Sequence, residues 1–329
     1  MAKVSVLMAV YNEQETVIRQ SIESILNQTY TDFEFVIIGD NPCNNALNLI
    51  VREYALLDKR VVFHINSENI GLTKSLNKGI KLCNGNYIAR MDADDIAFST
   101  RLEKQVAFME SHPYVHVLNT AIKKFYHDDL DNNFFMTVPY DNESIVERLL
   151  VSNLLFHPTI MIRKSFIDEF HISYNEMFRR SQDYALWLDL ASHGAIFASL
   201  QEPLLYYRSS ENQISIKFRS EQQSDADAIL LYYIRRTLNS ILNVDMKLSS
   251  EFLIRSYARE IQQKGMSVYN KELLYKMLLS CDDFANLIVL LVSKDIRHIH
   301  FPLKKMCKIV LSCFTNRWDN EKINWNNLR

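Results

Sequence analysis

Asp92-Ala93-Asp94-Asp95 sets three carboxylates in four residues, directly after the apolar run Tyr87-Ile88-Ala89. Such a cluster repels itself unless a cation neutralises it. Hard divalent ions such as Mg²⁺ and Mn²⁺ take oxygen ligands, and they commonly clamp substrate phosphates. Acidic turns are frequent, so position gives the cluster its meaning: it closes a strand, downstream of other strands that end in polar loops. One such loop is Tyr11-Asn12-Glu13; a second is Gly39-Asp40-Asn41. Together they offer an aromatic ring to pack on a base, a carboxylate to accept from its N–H, and a cation site for a diphosphate. Those parts suit a nucleotide.

Hydrophobic spacing supplies the elements that carry these loops. Residues 4–10 form an apolar run that reads as a buried strand. Residues 16–27 repeat Val17, Ile18, Ile22, Ile25 and Leu26 at helical spacing. The alternation continues with a strand at 33–38, a helix at 46–57, a strand at 61–65, a helix at 72–83 and a strand at 87–91. Thr100-Arg101-Leu102-Glu103 has the spacing of a capping box and opens a helix that runs to Ser111. Strands separated by helices of this length predict an α/β fold, with a mostly parallel, Rossmann-like sheet flanked by helices on both faces. In open sheets of that kind, ligands bind beyond the carboxyl ends of the strands, where the strand order reverses. A parallel sheet therefore brings Tyr11, Asp40 and the acidic cluster to one edge.

Composition narrows the class. The chain has 329 residues, 48% hydrophobic and 23% charged, which suits a globular protein of one large or two smaller domains. A net charge of −2 gives no general electrostatic reason to bind nucleic acid. Five cysteines without a CxxC pair argue against a disulfide scaffold or a zinc site and fit a reducing, cytoplasmic compartment. Met1-Ala2-Lys3-Val4 runs straight into a strand, without the apolar core of a signal peptide. No apolar run approaches the ~20 residues that span a bilayer.

Several segments resemble the family-2 glycosyltransferases, in the right order and over roughly residues 3–215. They are Val4-Ser5-Val6-Leu7-Met8-Ala9-Val10-Tyr11-Asn12-Glu13, the stretch from Ser21 to Tyr30, Asn69-Ile70-Gly71-Leu72 with Ser75-Leu76-Asn77, and Ile88 to Asp95 with Arg101-Leu102. The resemblance implies the GT-A fold, an inverting mechanism, and a nucleotide-diphosphate sugar used with Mn²⁺ or Mg²⁺. It places Tyr11, with Asn12 and Glu13, near the base. The second strand usually ends in paired Asp followed by Gly-Ser; here Gly39 replaces the first acid, and Asp40 matches the position that contacts uracil. Asp92, Ala93 and Asp94 match the metal motif, with Asp95 adjacent, and either Asp94 or Asp95 serves as the direct ligand. Arg90 and Arg101 contact the diphosphate or else brace the acidic loop.

The same resemblance continues downstream. Phe156-His157-Pro158-Thr159 and the residues up to Arg163 look like the strand that lines the acceptor side. Where the family has Glu-Asp, this chain has Gln182-Asp183, and the resemblance makes Asp183 the general base. His157, Gln182 and Trp187 then fall on the acceptor side, and Arg208 shields the diphosphate from a mobile loop, with Ser210 where the family often has a His. Chemically the step needs one base to take the acceptor proton while a metal stabilises the departing diphosphate. Ser181 caps a helix whose dipole favours ionised Asp183, and Gln182 removes a neighbouring negative charge.

Beyond 215 the pattern turns helical. Residues 216–329 read as a C-terminal helical subdomain behind a catalytic domain of 1–215, itself a nucleotide-sugar and metal half (1–100) and an acceptor half (101–215). Lys294, Arg297, Lys304, Lys305 and Lys308 lie among Ile296, Leu303, Met306, Ile309 and Leu311. Such a basic amphipathic surface suits peripheral contact with an anionic membrane. The expectation is an enzyme that moves a hexose or N-acetylhexosamine from a UDP-sugar to a saccharide hydroxyl on a lipid-linked O-antigen or capsule precursor, giving a β-glycoside. Two rivals are a non-catalytic nucleotide-sugar-binding protein and a nucleotidyltransferase. The latter calls for a Gly-rich basic loop after the first strand, where this chain has Tyr11-Asn12-Glu13-Gln14-Glu15.

Overall fold

The computed structural model describes residues 2–126, 129–149 and 152–209, together with Gln222, Asp225, Ala226, Ala228, Ile229, Tyr232 and Tyr233. Strands β1 (Val4–Val10), β2 (Phe33–Gly39), β3 (Val61–Ile65) and β4 (Tyr87–Arg90) alternate with helices α1 (Glu15–Leu26), α2 (Asn45–Leu57) and α3 (Leu72–Leu82). The second half holds β5 (Ile96–Ala97), α4 (Arg101–Ser111), β6 (Val117–Tyr126), β7 (Asp129–Met136) and α5 (Asn142–Leu149). A 3₁₀ turn (His157–Thr159), β8 (Met161–Arg163), α6 (Lys164–Phe170), α7 (Gln182–Ser192) and β9 (Phe197–Ser209) follow.

Among the described residues one sheet runs β3-β2-β1-β4-β8-β6-β9-β5, with β7 paired to β6. The first four strands are parallel, as the alternation with helices requires. The second half is mixed: β8 is antiparallel to β4 and β6, while β9 runs parallel to β6. The order 3-2-1-4 reverses between β1 and β4, so the loops after those two strands flank the switch point where ligands collect. One sheet crosses the boundary at 100/101, because β4 pairs with β8 and β5 with β9.

Pleating divides the strands between two cores. Val4, Val6, Met8 and Val10 of β1 join Phe33, Phe35 and Ile37 of β2 against Ile18, Ile22 and Ile25 of α1 and Leu47 and Val51 of α2. Leu7, Val36 and Ile38 point the other way, towards Leu76 of α3 and the apolar face of α7. Every residue of β1 except Ala9 is fully buried, so this strand carries helices on both faces and reads as one unbroken apolar run.

Three local expectations are corrected. Residues 156–163 do not form one strand: Pro158 cannot donate a ladder hydrogen bond, and Thr159 turns its hydroxyl onto Phe156 O (2.8 Å), so a 3₁₀ turn precedes β8. Thr100 stands at the N-cap of α4 without a side-chain cap, and the supposed partner Glu103 accepts from Thr29 Oγ1 instead (2.7 Å). Arg208 lies in β9 rather than on a mobile loop. The helices expected within 216–329 fall outside the described residues, apart from the seven named, of which Ile229 and Tyr233 pack into the α7 core. Among the described residues no helix is long and apolar enough to cross a membrane.

Gly85 marks the closest approach of β1 to the turn before β4. A Cβ there would stand 2.6 Å from Ser5 N and 2.7 Å from Val4 C, both backbone atoms that cannot step aside. Gly85→Ala is expected to destabilise the fold by about 2 kcal/mol through forced separation of the strands, read as a lower urea midpoint with an unchanged m-value.

Candidate active site

The acidic loop after β4 is held from three sides. From α1, Ser21 Oγ donates to Asp92 O (3.0 Å) and Ser24 Oγ accepts from Ala97 N (3.0 Å); just past its C-terminus, Gln28 bridges Phe98 O (2.7 Å) and Leu102 N (2.9 Å). A spacing of three along the helix puts the two serines on one face. From α4, fully buried Arg101 donates to Arg90 O (2.7 Å) and Gln105 Oε1 (3.0 Å). Burial pulls its guanidinium down to about 9, partly opposed by the negative charge of Asp95, so it stays cationic at neutral pH. From β9, Arg208 donates its backbone N–H to Asp95 Oδ1 (2.8 Å) and its Nε to Asp94 O (2.7 Å), with its guanidinium over the Phe125 ring.

The three carboxylates are not equivalent. Asp92 is ion-paired to buried Arg90. Asp95 is buried, and its Oδ2 has no hydrogen-bond partner. Asp94 is partly exposed. Burial, then the charges of its neighbours, pushes both Asp94 and Asp95 towards the protonated form. Glu13, after β1, is raised by burial and carries a smaller contribution from Asp92. The loop is thus a site of uncompensated negative potential, and the orphaned Asp95 oxygen is the kind of vacancy a hard cation fills. Among the described residues no three His, Cys, Asp or Glu side chains converge as a metal cage. Arg90 engages Asp92, which leaves Asp94 and the unpartnered oxygen of Asp95 as the open donors of the loop.

On the nucleotide side, Tyr11 is about half exposed (48%) at the tip of β1, free to present its ring face. Its backbone N–H donates to Glu13 Oε2 (2.8 Å), and Asn12 accepts from Asn44 (3.2 Å). Asp40 is buried and organises the loop before α3. It accepts from Asn66 Nδ2 (2.8 Å), Ile70 N (2.9 Å) and Gly71 N (2.8 Å). Gly71 has φ +86°, a left-handed conformation that explains the glycine of the Asn69-Ile70-Gly71 motif. Gly39 is small for a packing reason. A Cβ there would lie 3.1 Å from two ring atoms of Phe63, in the space where an acid would have to start.

Across the switch point, Asp183 occupies the first turn of α7. Its Oδ2 accepts from Asn153 Nδ2 (2.7 Å) and its Oδ1 from Tyr184 N (2.8 Å). Ser181 stands at the N-cap of α7 as expected, but its side chain makes no cap hydrogen bond and its hydroxyl lies 3.4 Å from Gln222 O. The expectation that the helix dipole keeps Asp183 strongly ionised is also corrected. Burial dominates and raises its pKa, Asn153 and the backbone oppose that, and the charge of Asp92 adds to it. His157 Nε2 meets Tyr174 Oη at 2.7 Å, and Asn77 of α3 fixes that tyrosine's backbone with two hydrogen bonds, 2.9 and 2.8 Å. Burial and the nearby Arg90 hold His157 neutral. Burial raises the Tyr207 hydroxyl on β9, and the charges of Asp95, Asp92, Asp94 and Asp183 add to that.

The pattern of Glycosyl transferase family 2 matches residues 5–185, more than half of the chain. The chain belongs to glycosyl transferase family 2. Among its relatives, an uncharacterized glycosyltransferase of Methanocaldococcus jannaschii is 38% identical over 62% of this chain and 70% of its own length. The amylovoran biosynthesis glycosyltransferase AmsE of Erwinia amylovora is 30% identical over 82% of this chain and 98% of its own. In structure the chain is similar to S. aureus TarS 1–349 in complex with UDP-GlcNAc: TM-score 0.59 at 17% identity, covering 98% of this chain and 93% of that one. The GT-A architecture expected from the motifs is the architecture observed.

In this family-2 chain the expected residues separate by exposure. Tyr11, Asp92, Asp94 and Asp183 are at least partly accessible. Arg90, Arg101 and Arg208 are buried braces of the acidic loop, and Ala93 is buried beneath it. Trp187 is fully buried in the core, edge-on to His157, so its side chain supports that histidine from behind. Gln182 is buried with Oε1 unpartnered. Ser210 lies outside the described residues. Ser21, Ser24, Gln28, Asn66, Asn77 and Gln105 emerge as positioning residues. Ser21, Ser24, Gln28 and Asn77 lay within the quoted motifs as polar residues with no partner in view, whereas Asn66 and Gln105 lay outside them.

Two outcomes follow from these contacts. Asp40→Ala strands Ile70 N–H and the Asn66 amide in a buried loop and is expected to cost about 3 kcal/mol, seen as a lower unfolding midpoint and weakened nucleotide binding. Asp183 has a raised folded pKa, so the fold favours its proton. Stability from this group is full below the unfolded carboxylate pKa and falls as pH climbs through the folded value. Asp183→Asn is therefore expected to melt a few degrees higher than wild type at neutral pH; a lower melting temperature contradicts this.

Proposed function

We propose that the chain is an inverting, metal-assisted glycosyltransferase. It moves a hexose or N-acetylhexosamine from a UDP-sugar onto a saccharide hydroxyl of a surface-polysaccharide precursor, forming a β-glycoside. The observation that carries this reading is the acidic loop after β4, where buried Asp95 leaves Oδ2 unpartnered beside partly exposed Asp94. We place the leaving group there and the base at Asp183, on the first turn of α7. The UDP of the TarS complex and the role of AmsE in amylovoran biosynthesis support the donor and the pathway class.

The residues supply the chemistry in order. Tyr11 offers its ring to the base, and the loop ordered by Asp40 forms the floor beside it. Asp183 takes the acceptor proton as that oxygen forms its bond to the anomeric carbon. The bond from that carbon to the diphosphate oxygen breaks, and the electron pair leaves with the nucleotide. Attack from the face opposite the leaving group inverts the centre. Asp94, with the unpartnered oxygen of Asp95 behind it, would hold a Mn²⁺ or Mg²⁺ that supplies positive charge at the departing diphosphate. Arg90, Arg101 and Arg208 keep the loop in place for that purpose. His157, neutral and tied to Tyr174, offers the acceptor side a hydrogen-bonding group without charge.

Three measurements test the reading. Asp183→Asn is expected to lower transfer by about 10²–10⁴-fold while calorimetric titration with UDP and Mn²⁺ stays unchanged; retained transfer removes Asp183 as base. The acid limb of the rate profile should fall at a pH above the ordinary carboxylate range, because Asp183 must be ionised and burial raises its pKa. We also place the enzyme at the cytoplasmic face of a membrane, resting on the basic segment 294–311, outside the described residues. Lys304→Glu with Lys305→Glu and Lys308→Glu should then abolish sedimentation with phosphatidylglycerol vesicles, and undiminished sedimentation excludes that contact.

A further inference from the structure

Asn153 stands at the mouth of the acceptor side, exposed, in the segment between α5 and the 3₁₀ turn. Its amide Nδ2 lies 2.7 Å from Asp183 Oδ2. Among the described residues it is the one side chain that hydrogen-bonds this carboxylate, whose other oxygen is taken by the Tyr184 backbone N–H. The segment is pinned three residues further on, where Phe156 N donates to buried Asn119 Oδ1 (3.0 Å). Asn119 Oδ1 also accepts from Thr159 Oγ1 (2.9 Å), and Thr159 O from Gln105 Nε2 (2.7 Å). Gln105 in turn accepts from Arg101, the brace of the acidic loop. Asn153 thus reaches the carboxylate from a fixed point on the donor-side framework.

We infer that Asn153 is the positioning residue of the base: it holds one carboxylate oxygen and stabilises the ionised form in a site that otherwise disfavours it. This deepens the reading of Asp183 given above and rests on it. Asp92 from the acidic loop, Tyr174 from the segment before α7 and Tyr207 from β9 interact electrostatically with Asp183. Burial is the larger influence on Asp183, and it disfavours the ionised form. A hydrogen bond to the charged form is the standing counterweight. Because its donor is an amide, Asn153 brings that counterweight without adding charge.

The test uses the full chain without substrate. Melting temperature is followed against pH for wild type and Asp183→Asn, and the difference between the two curves reports the titration of Asp183 alone. The difference begins near the unfolded carboxylate pKa and levels off at the folded one. The same pair is then measured in the Asn153→Ala and Asn153→Gln backgrounds. Asn153→Ala is expected to move the upper end of that window up by about one pH unit, a tenfold loss of carboxylate acidity, and Asn153→Gln, which keeps the amide donor, to restore much of it. A merely structural residue would lower all four melting curves together without moving the window. An unmoved window in Asn153→Ala overturns the inference. Full transfer by Asp183→Asn with a shifted window would instead overturn the base assignment and leave the Asn153 contact intact.

Discussion

Three carboxylates in four residues can stay folded only if something cancels their repulsion, and the surrounding structure is arranged around that need. Arg90 neutralises Asp92, buried Arg101 holds the carbonyl of Arg90, and Arg208 reaches across from β9 to the backbone of Asp94. Burying those guanidinium groups is costly unless each finds acceptors. Gln105, Met91 and the strand carbonyls provide most of them, and Arg90 Nε alone of these donors is buried without a partner among the described residues. What remains uncancelled is concentrated on Asp94 and the unpartnered oxygen of Asp95. The brace therefore shapes the potential as well as the loop.

The same framework joins the two halves of the chemistry. Polar contacts run from Arg101 through Gln105 and Thr159 to Asn119, and all four side chains are buried. On the other face, Asn77 of the donor-side helix α3 fixes Tyr174, which holds His157. A displacement of either half is thus felt by the other through hydrogen bonds rather than through apolar contacts, which can slide. Networks of this kind reward full satisfaction and penalise a single gap.

The parallel half of the fold was legible because β1 to β4 and their helices obey clean periodicities, with boundaries wrong by one residue or so. The second half was harder. Asn119 and Thr120 interrupt the apolar pattern of β6 because they are spent on the buried network, and the eight residues of β7 are nearly all exposed, so neither strand shows a two-residue alternation. The acidic loop and Asp183 were visible as motifs. Their environments were not: a helix N-terminus argues for an ionised Asp183, but burial outweighs it, a balance that depends on tertiary packing. The capping role given to Thr100 failed for a related reason. Thr29, far away in sequence, claims the Glu103 carboxylate first.

Gly39 shows how a departure from the family pattern becomes locked in. The Phe63 ring on the neighbouring strand occupies the volume that a side chain at 39 would enter, and Asn48 Oδ1 closes the remaining side at 3.3 Å. Regaining an acid there requires the Phe63 ring to give way by a few tenths of an ångström. The strand end therefore carries a single aspartate, Asp40, whose oxygens are already committed to Asn66, Ile70 and Gly71.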